Sequence, residues 1–293
     1  MLRNSQDFVQ LMGLRLNITP KDRLLDDIES KIEKKRKFFV TTPNPEIVFA
    51  AQADRALMES LRASSLAVAD GIGLAAANKF LSWKAPSFLP ARLLVCLLQG
   101  FVVGLSIVFW KKWLEKDLPI IKGRDLFGDL IKVASEKKWK VYLLGGKCGE
   151  AYTAAENLRG RFKGLRIMAN AGPLLDRDGC PKSLEDKKNE ELVVREINAF
   201  SPELLFVGIS HPRQEKWLYR WYKKLNIVAG MTVGGTFKYY AGYAKLPPVI
   251  FDKIGLSWLW RLFVGDQSLP RVYTAVIKFP FLVLKTKLFS NTR

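Results

Sequence analysis

The stretch Lys140-Val141-Tyr142-Leu143-Leu144-Gly145-Gly146-Lys147-Cys148-Gly149-Glu150 carries the grammar from which the fold is read. An apolar, aromatic and β-branched run ends in two glycines, and a helix-period segment, Glu150–Phe162, begins at once. The same grammar repeats along the chain. Strands are predicted at Lys37–Thr42, Ser65–Ala69, Lys140–Leu144, Leu165–Ala169, Leu204–Val207 and Ile227–Val233. Helices are predicted at Lys21–Lys35, Glu46–Arg62, Leu126–Lys138, Glu150–Phe162, Leu184–Phe200 and Arg213–Lys224. Short strands separated by helices predict βαβ units, hence an α/β fold with a mainly parallel sheet and helices on both faces. Gly71, Gly145 and Gly146, Gly208, and Gly234 with Gly235 each fall just after a predicted strand. That carboxyl edge is where open α/β sheets bind ligands.

Composition bounds the rest. The chain has 293 residues, of which 48% are hydrophobic and 26% charged, so it can bury a sizeable core. Its formal charge is +19. The excess is uneven: residues 216–293 hold thirteen Lys and Arg against Asp252 and Asp266, among many Trp, Phe, Leu and Tyr. A basic and apolar tail suits an anionic membrane surface. Nucleic acid is a poorer partner, because no helix-turn-helix, RNP-like or OB-like signature accompanies the charge. A single histidine, His211, rules out a multi-histidine zinc site. Cys96, Cys148 and Cys180 are too far apart for a metal knuckle and odd in number, which predicts reduced, mostly buried thiols in a cytoplasmic protein. Residues Met1 to Pro20 lack an apolar signal-peptide core. These counts leave no multi-histidine zinc site and no cysteine metal knuckle.

Strand–helix alternation stops near Pro247. The sequence therefore divides into a core, 1–246, with an apolar insertion at about 83–118, and a basic amphipathic helical appendage, 247–293. Within the insertion, Leu93 to Trp110 carries no charge. As a helix it is about 27 Å long, near the hydrocarbon thickness of a bilayer. A single crossing would put residues 1–92 and 111–293 on opposite sides and dismantle the sheet. The expected forms are a helix in the membrane interface, a re-entrant dip turning near Gly100 and Gly104, or a helix buried in protein, with monotopic insertion preferred.

Several strand ends carry chemistry. Thr42-Pro43-Asn44-Pro45-Glu46 follows a strand, and Asn44 there is as apt to cap the next helix as to meet a ligand. Asp70-Gly71-Ile72-Gly73 puts a carboxylate where a strand yields to glycine, although Asp is also a common turn residue. Gly145-Gly146-Lys147 offers backbone N–H groups to a diphosphate but is neither a dinucleotide fingerprint nor a P-loop. In Gly208-Ile209-Ser210-His211-Pro212-Arg213-Gln214-Glu215, Gln214 lies in the first turn of a helix and can donate to phosphate or sugar oxygens, while His211 reads as a surface or capping residue. Asp125 starts another helix, as a cap or as a partner of a sugar hydroxyl. Arg261 and Arg271 lie in the aromatic tail.

Taken in order, these segments resemble the WecG/TagA/CpsF family of bacterial glycosyltransferases. The resemblance rests on Thr42-x-Asn44-Pro-Glu46, Asp70-Gly71-Ile-Gly73, Gly123-x-Asp125, Gly145-Gly146-Lys, Gly208-x-x-x-Pro212-x-Gln214-Glu215, Gly234-Gly235-x-Phe237, Ala241-Gly242 and Gly255-Leu-x-Trp258-Leu-x-Arg261. It runs from about residue 10 to the C-terminus, with a break at roughly Ser82 to Pro119.

The resemblance implies a Rossmann-like domain with a C-terminal appendage docking over the active site. It implies an inverting, metal-independent transfer of an N-acetylmannosamine-like sugar from a nucleotide-diphosphate donor, UDP-linked by analogy, to a polyprenyl-diphosphate-linked sugar. Such enzymes build cell-envelope polysaccharide or teichoic acid on the cytoplasmic face of the membrane, as peripheral or monotopic proteins; a homo-oligomer is another way to cover an apolar tail. The general base falls on Asp70, its polar neighbours on Thr42, Asn44 and Gln214, and the appendage cations on Arg261 and Arg271. Substrate contacts fall on Gly71, Gly73, Asp125, Gly145, Gly146, Gly208, Gly234 and Gly235. The chain departs from the family pattern at Lys238, where an Asp is common, and at Ser268, near which a third arginine is expected. These departures motivate the alternative of a non-catalytic, membrane-attached nucleotide-sugar-binding protein.

Overall fold

The computed structural model describes residues 7–289. Residues 1–6 and 290–293, the ends of the two predicted units and with them the first part of Met1 to Pro20, lie outside the described residues.

The chain opens with a hairpin, β1 (Phe8–Leu11) and β2 (Leu14–Asn17), joined by Met12 and Gly13, both at positive φ. There follow α1 (Lys21–Glu33), β3 (Phe38–Thr41), α2 (Pro45–Ala51), α3 (Arg55–Ala63), β4 (Leu66–Ala67) and α4 (Ile72–Ser82). Next come α5 (Leu89–Phe109), α6 (Lys111–Glu115) and α7 (Gly123–Glu136). The second half of the sheet alternates β5 (Lys140–Gly145), α8 (Glu150–Arg161), β6 (Arg166–Asn170), α9 (Leu184–Phe200), β7 (Leu204–Gly208), α10 (Arg213–Trp221), β8 (Ala229–Thr232) and α11 (Thr236–Tyr240). The appendage contributes α12 (Val249–Lys253), α13 (Ser257–Phe263), α14 (Leu269–Tyr273), a π-helical turn at Thr274–Lys278 and α15 (Phe279–Phe289).

The fold is α/β, as the alternation predicts. The six predicted strands form one parallel sheet in the order β4-β3-β8-β7-β5-β6. One face buries Phe127, Phe206, Phe237 and Val141 with α1, α7 and α8; the other buries Phe39, Tyr142 and Trp217 with α9 and α10. In α1 the buried Leu24, Ile28 and Ile32 recur every four residues and make the stripe that covers the sheet. A third cluster joins the hairpin, α2 to α5, and Phe279 and Val283 of α15.

Three expectations change. The helix predicted over Glu46–Arg62 is two helices, because the Asp54 carboxylate accepts the Leu57 N–H (3.0 Å) and caps a new start. Lys216 holds that carboxylate from α10 at 2.7 Å. Of the three cysteines only Cys96 is buried; Cys148 and Cys180 lie in exposed loops. The apolar segment neither turns at Gly100 and Gly104 nor sinks into protein. It is the continuous helix α5, 21 residues long, buried mainly through Arg92, Cys96, Val103 and Ser106. Leu94, Leu98, Phe101 and Val102 face outward. Among the described residues it is the one helix long and apolar enough to cross a membrane. Its flanking strands share a single sheet, β3 and β4 before it and β5 to β8 after, so the two sides cannot be separated.

Candidate active site

One cleft of about 2230 Å³ lies along the carboxyl ends of β3, β4, β5, β7 and β8 and is roofed by the appendage. It is lined by Thr42, Asn44, Asp70, Gly71, Gly73, Gly145, Gly146, Gly208, Gln214, Gly234, Gly235, Arg261 and Arg271. Asp125 is the exception: it sits on the exposed side of α7 against Arg124 (3.4 Å), outside the lining. It does not cap α7 either, since that helix starts at Gly123.

Asp70 ends the β4 segment. Its N–H donates to the Pro43 carbonyl (2.9 Å), which ties the ends of β3 and β4 together. Its carboxylate accepts the Gly123 N–H at 3.5 Å. Burial in the cleft pushes the Asp70 carboxyl above the usual carboxylate range, against the opposing pull of Arg261, Arg124 and Lys122. Gly71 has φ 112°, a conformation that favours glycine, and a Cβ on Gly73 would stand 2.9 Å from the Pro45 ring. These two glycines let α4 start directly beneath Asp70.

The other expected residues divide by what they touch. Asn44 is a helix cap, its side-chain oxygen accepting the Ile47 N–H at 2.9 Å. Thr42 donates to the Thr232 carbonyl (3.3 Å), bridging β3 and β8. Gln214 is buried and engaged at both ends: its oxygen accepts the Gly234 N–H (3.0 Å) and its amide donates to Glu215 (2.7 Å). It sets the Gly234–Gly235 turn, and one of its two amide hydrogens is taken by Glu215. Burial raises the Glu215 carboxyl to about 7, only partly offset by Gln214. At the β5 turn, Gly146 N–H donates to the Gly208 carbonyl (3.0 Å) and Lys147 N–H to the Glu150 carboxylate (3.1 Å). Those two amides are occupied within the protein. A Cβ on Gly145 would lie 2.8 Å from the Gly208 carbonyl carbon, so glycine here serves the close approach of β5 and β7.

The appendage is clasped to the core by charge. Glu46, at the start of α2, accepts from Arg271 (2.7 Å) and from Gln267 (2.8 Å). Asp252 meets Lys122 (2.7 Å) and Arg124 (3.4 Å). Burial would raise the Asp252 carboxyl, but Lys122, Ser257 and Arg124 outweigh it and hold it below the usual range. Asp266 pairs with Lys238 and accepts from the Tyr239 hydroxyl (2.6 Å). Where the family pattern leads one to expect an acid on the core, this chain has Lys238 and takes the acid from the appendage. Arg271 thus has its Nε committed to Glu46, whereas the Nε of Arg261 is buried with no hydrogen-bond partner among the described residues.

The sequence reading undervalued three neighbours. His211 lines the cleft, and burial, reinforced by Arg271 and Arg177, lowers its pKa to about 4, so it is a neutral imidazole. Lys122 and Arg124 stand beside Asp70 and act on it electrostatically. Their signal was position alone, since both flank Gly123 at the end of the insertion. Among the described residues no three His, Cys, Asp or Glu side chains gather as metal ligands.

Known proteins resemble this chain over most of its length. The family model for the Glycosyl transferase WecG/TagA/CpsF family matches residues 9–94 and 100–293. The match breaks only at 95–99, a narrower gap than the motifs suggested. The chain is similar to N-acetylglucosaminyldiphosphoundecaprenol N-acetyl-beta-D-mannosaminyltransferases of Staphylococcus aureus strains NCTC 8325, COL and MRSA252. Each is 25% identical over 287 residues, covering 97% of this chain and 95% of the relative.

Proposed function

The chain belongs to the WecG/TagA/CpsF family of glycosyl transferases, and from that premise we propose that it transfers an N-acetylmannosamine-like sugar, with inversion and without a divalent metal, from a nucleotide-diphosphate donor to a polyprenyl-diphosphate-linked sugar. Asp70 takes the proton of the acceptor hydroxyl as that oxygen attacks the anomeric carbon. The bond from this carbon to the diphosphate breaks on the opposite face, and the nucleoside diphosphate leaves with both electrons. Arg261, Lys122 and Arg124 stabilise the charge that develops on it. Thr42, Asn44 and Gln214 are positioning residues that hold the strand ends and turns around the reacting groups.

The observation that carries this reading is Asp70 itself: a carboxylate with a raised pKa, facing three cations in a cleft roofed by the appendage. A raised pKa makes the carboxylate a stronger base than an exposed aspartate. The boundary at 246/247 is, in this reading, functional: the core holds the base and the appendage brings Arg261 and Arg271 over it. The outward apolar residues of α5, with Phe263, Leu269 and Phe281 of the appendage, support peripheral or monotopic attachment at the cytoplasmic face. Without lipid the same face drives self-association.

The test is transfer of labelled N-acetylmannosamine from UDP to an N-acetylglucosaminyl-diphosphate lipid, with the product's anomeric configuration read by NMR and the rate repeated in EDTA. The β-linked product from an α-linked donor, at an EDTA-insensitive rate, is expected. Retained configuration or loss of rate in EDTA contradicts the corresponding part of the proposal. Donor binding without transfer to any lipid-linked acceptor contradicts the whole.

A further inference from the structure

The cleft does not end at its charged groups. On the Asp70 side it continues as an apolar trench between α4, α5 and the start of α15. Its floor is one face of α4, where Ile72, Ala76, Ala77 and Phe80 recur at helical spacing. The α5 wall runs from Leu97 to Val108, about 16 Å of helix. Gly100 and Gly104 lie in that wall, and their lack of side chains keeps the trench open. A Cβ on Gly104 would meet nothing within 4 Å, and one on Gly100 only the Phe80 ring at 3.8 Å.

The two ends of the trench differ in chemistry. The inner end lies at Ile72, two residues from Asp70, with Lys111, Lys122, Arg124 and Arg261 around it. The outer end opens toward the exposed apolar face of α5. Between them, no lining residue that α4, α5 or α15 contributes carries a charge. A ligand fitting this shape has an anionic head, an apolar tail, and a reacting group held at the head.

We propose that the trench binds the first isoprene units of the acceptor's polyprenyl chain and leads them from the diphosphate beside Asp70 out to the membrane surface. The inference rests on the reading of the acceptor as a polyprenyl-diphosphate sugar. It assigns distinct tasks to the two sides of α5: the trench side holds the substrate's chain, and the outward side, with Leu94 and Leu98, meets the bilayer.

Two measurements on the full-length protein test it. Gly104→Leu puts its side chain into the trench, since a Cβ there would meet no protein atom within 4 Å, and leucine is the better helix former. The readout is the kcat/KM ratio for two N-acetylglucosaminyl-diphosphate acceptors, one on a long polyprenyl chain and one on a short alkyl chain. The ratio is expected to fall about tenfold or more, as several buried methylenes lose their site; an unchanged ratio overturns the proposal. In the second, a photoreactive isoprenyl diphosphate labels the wild-type protein and the sites are mapped by mass spectrometry. Labels on Ala76–Phe80 and the Gly100–Gly104 side of α5 are expected. Labels confined to the Leu94 and Leu98 side, or displaced equally by phosphatidylglycerol vesicles, overturn the trench in favour of ordinary bilayer lipid. Trench labelling by a protein that transfers no sugar supports the site while contradicting the transferase reading, so the two claims fail separately.

Discussion

Phe206 and Phe101 are the same side chain in two parts of one molecule. Phe206, on β7, is 0% exposed and meets Phe127 edge-on at 4.6 Å between ring centroids. Phe101, on α5, is 67% exposed. Both lie in uncharged apolar runs. The difference is that the sheet satisfies its own apolar faces with α1, α7, α8, α9 and α10, whereas α5 has α4 and α15 on one side only. The lesson is that apolar composition states that a surface must be covered, and topology states by what. In β7 the covering is protein. In α5 the outward side chains have no protein cover among the described residues, and the proposed function assigns that task to lipid.

The sharpest way to break this comparison is to cut both rings back. Phe206→Ala should destabilise the fold by about 3–5 kcal/mol, read from urea denaturation. Phe101→Ser should leave stability within about 0.5 kcal/mol, as for an exposed site, while weakening binding to phosphatidylglycerol vesicles. Equal losses of stability would mean that α5 is covered by protein after all.

Next in size is the bridge between the two regions. Arg261→Ala removes the appendage cation whose Nε has no hydrogen-bond partner among the described residues. It should lower kcat about 10²–10³-fold in steady-state assays with donor and lipid acceptor, and leave the thermal midpoint nearly unmoved. A smaller effect belongs to the outward helix face. Leu94→Gln with Leu98→Gln should reduce vesicle partitioning about tenfold or more by co-sedimentation, with turnover of a short-chain acceptor retained. The smallest is the clasp. Glu46→Gln removes the charge that holds the partly exposed Arg271, and should cost about 1 kcal/mol or less, seen as a few-fold rise in KM.

The sheet was legible because its strands are short apolar runs separated by helical segments, four of them closed by glycine, and all six fall where that pattern puts them. The hairpin β1–β2 was not, because its strands have four residues each and its turn depends on Met12 and Gly13 at positive φ. The break at Asp54 was hidden because the helical period of Glu46–Arg62 continues through it, and only the cap and the Lys216 contact show why the chain stops. At the cleft, sequence could place Gln214 at a helix start but not reveal that both ends of its amide are taken. Nor could it pair Lys238 with Asp266 or Glu46 with Arg271, since those contacts cross from core to appendage.

The central claim is that Asp70 is the base, and its environment adds a pH signature. Because its folded pKa is raised, Asp70 contributes stability that is fully present below the ordinary aspartate range and is lost as pH rises through the raised value. Ionising it therefore opposes folding, and the neutral isostere should relieve that. The most direct measurement is Asp70→Asn, assayed for transfer, donor binding and thermal midpoint at neutral pH. A kcat lower by about 10²–10⁴, with donor affinity intact and an equal or higher midpoint, is the predicted result. Wild-type turnover in Asp70→Asn would contradict the account and leave Asp70 a turn residue at the mouth of the sheet.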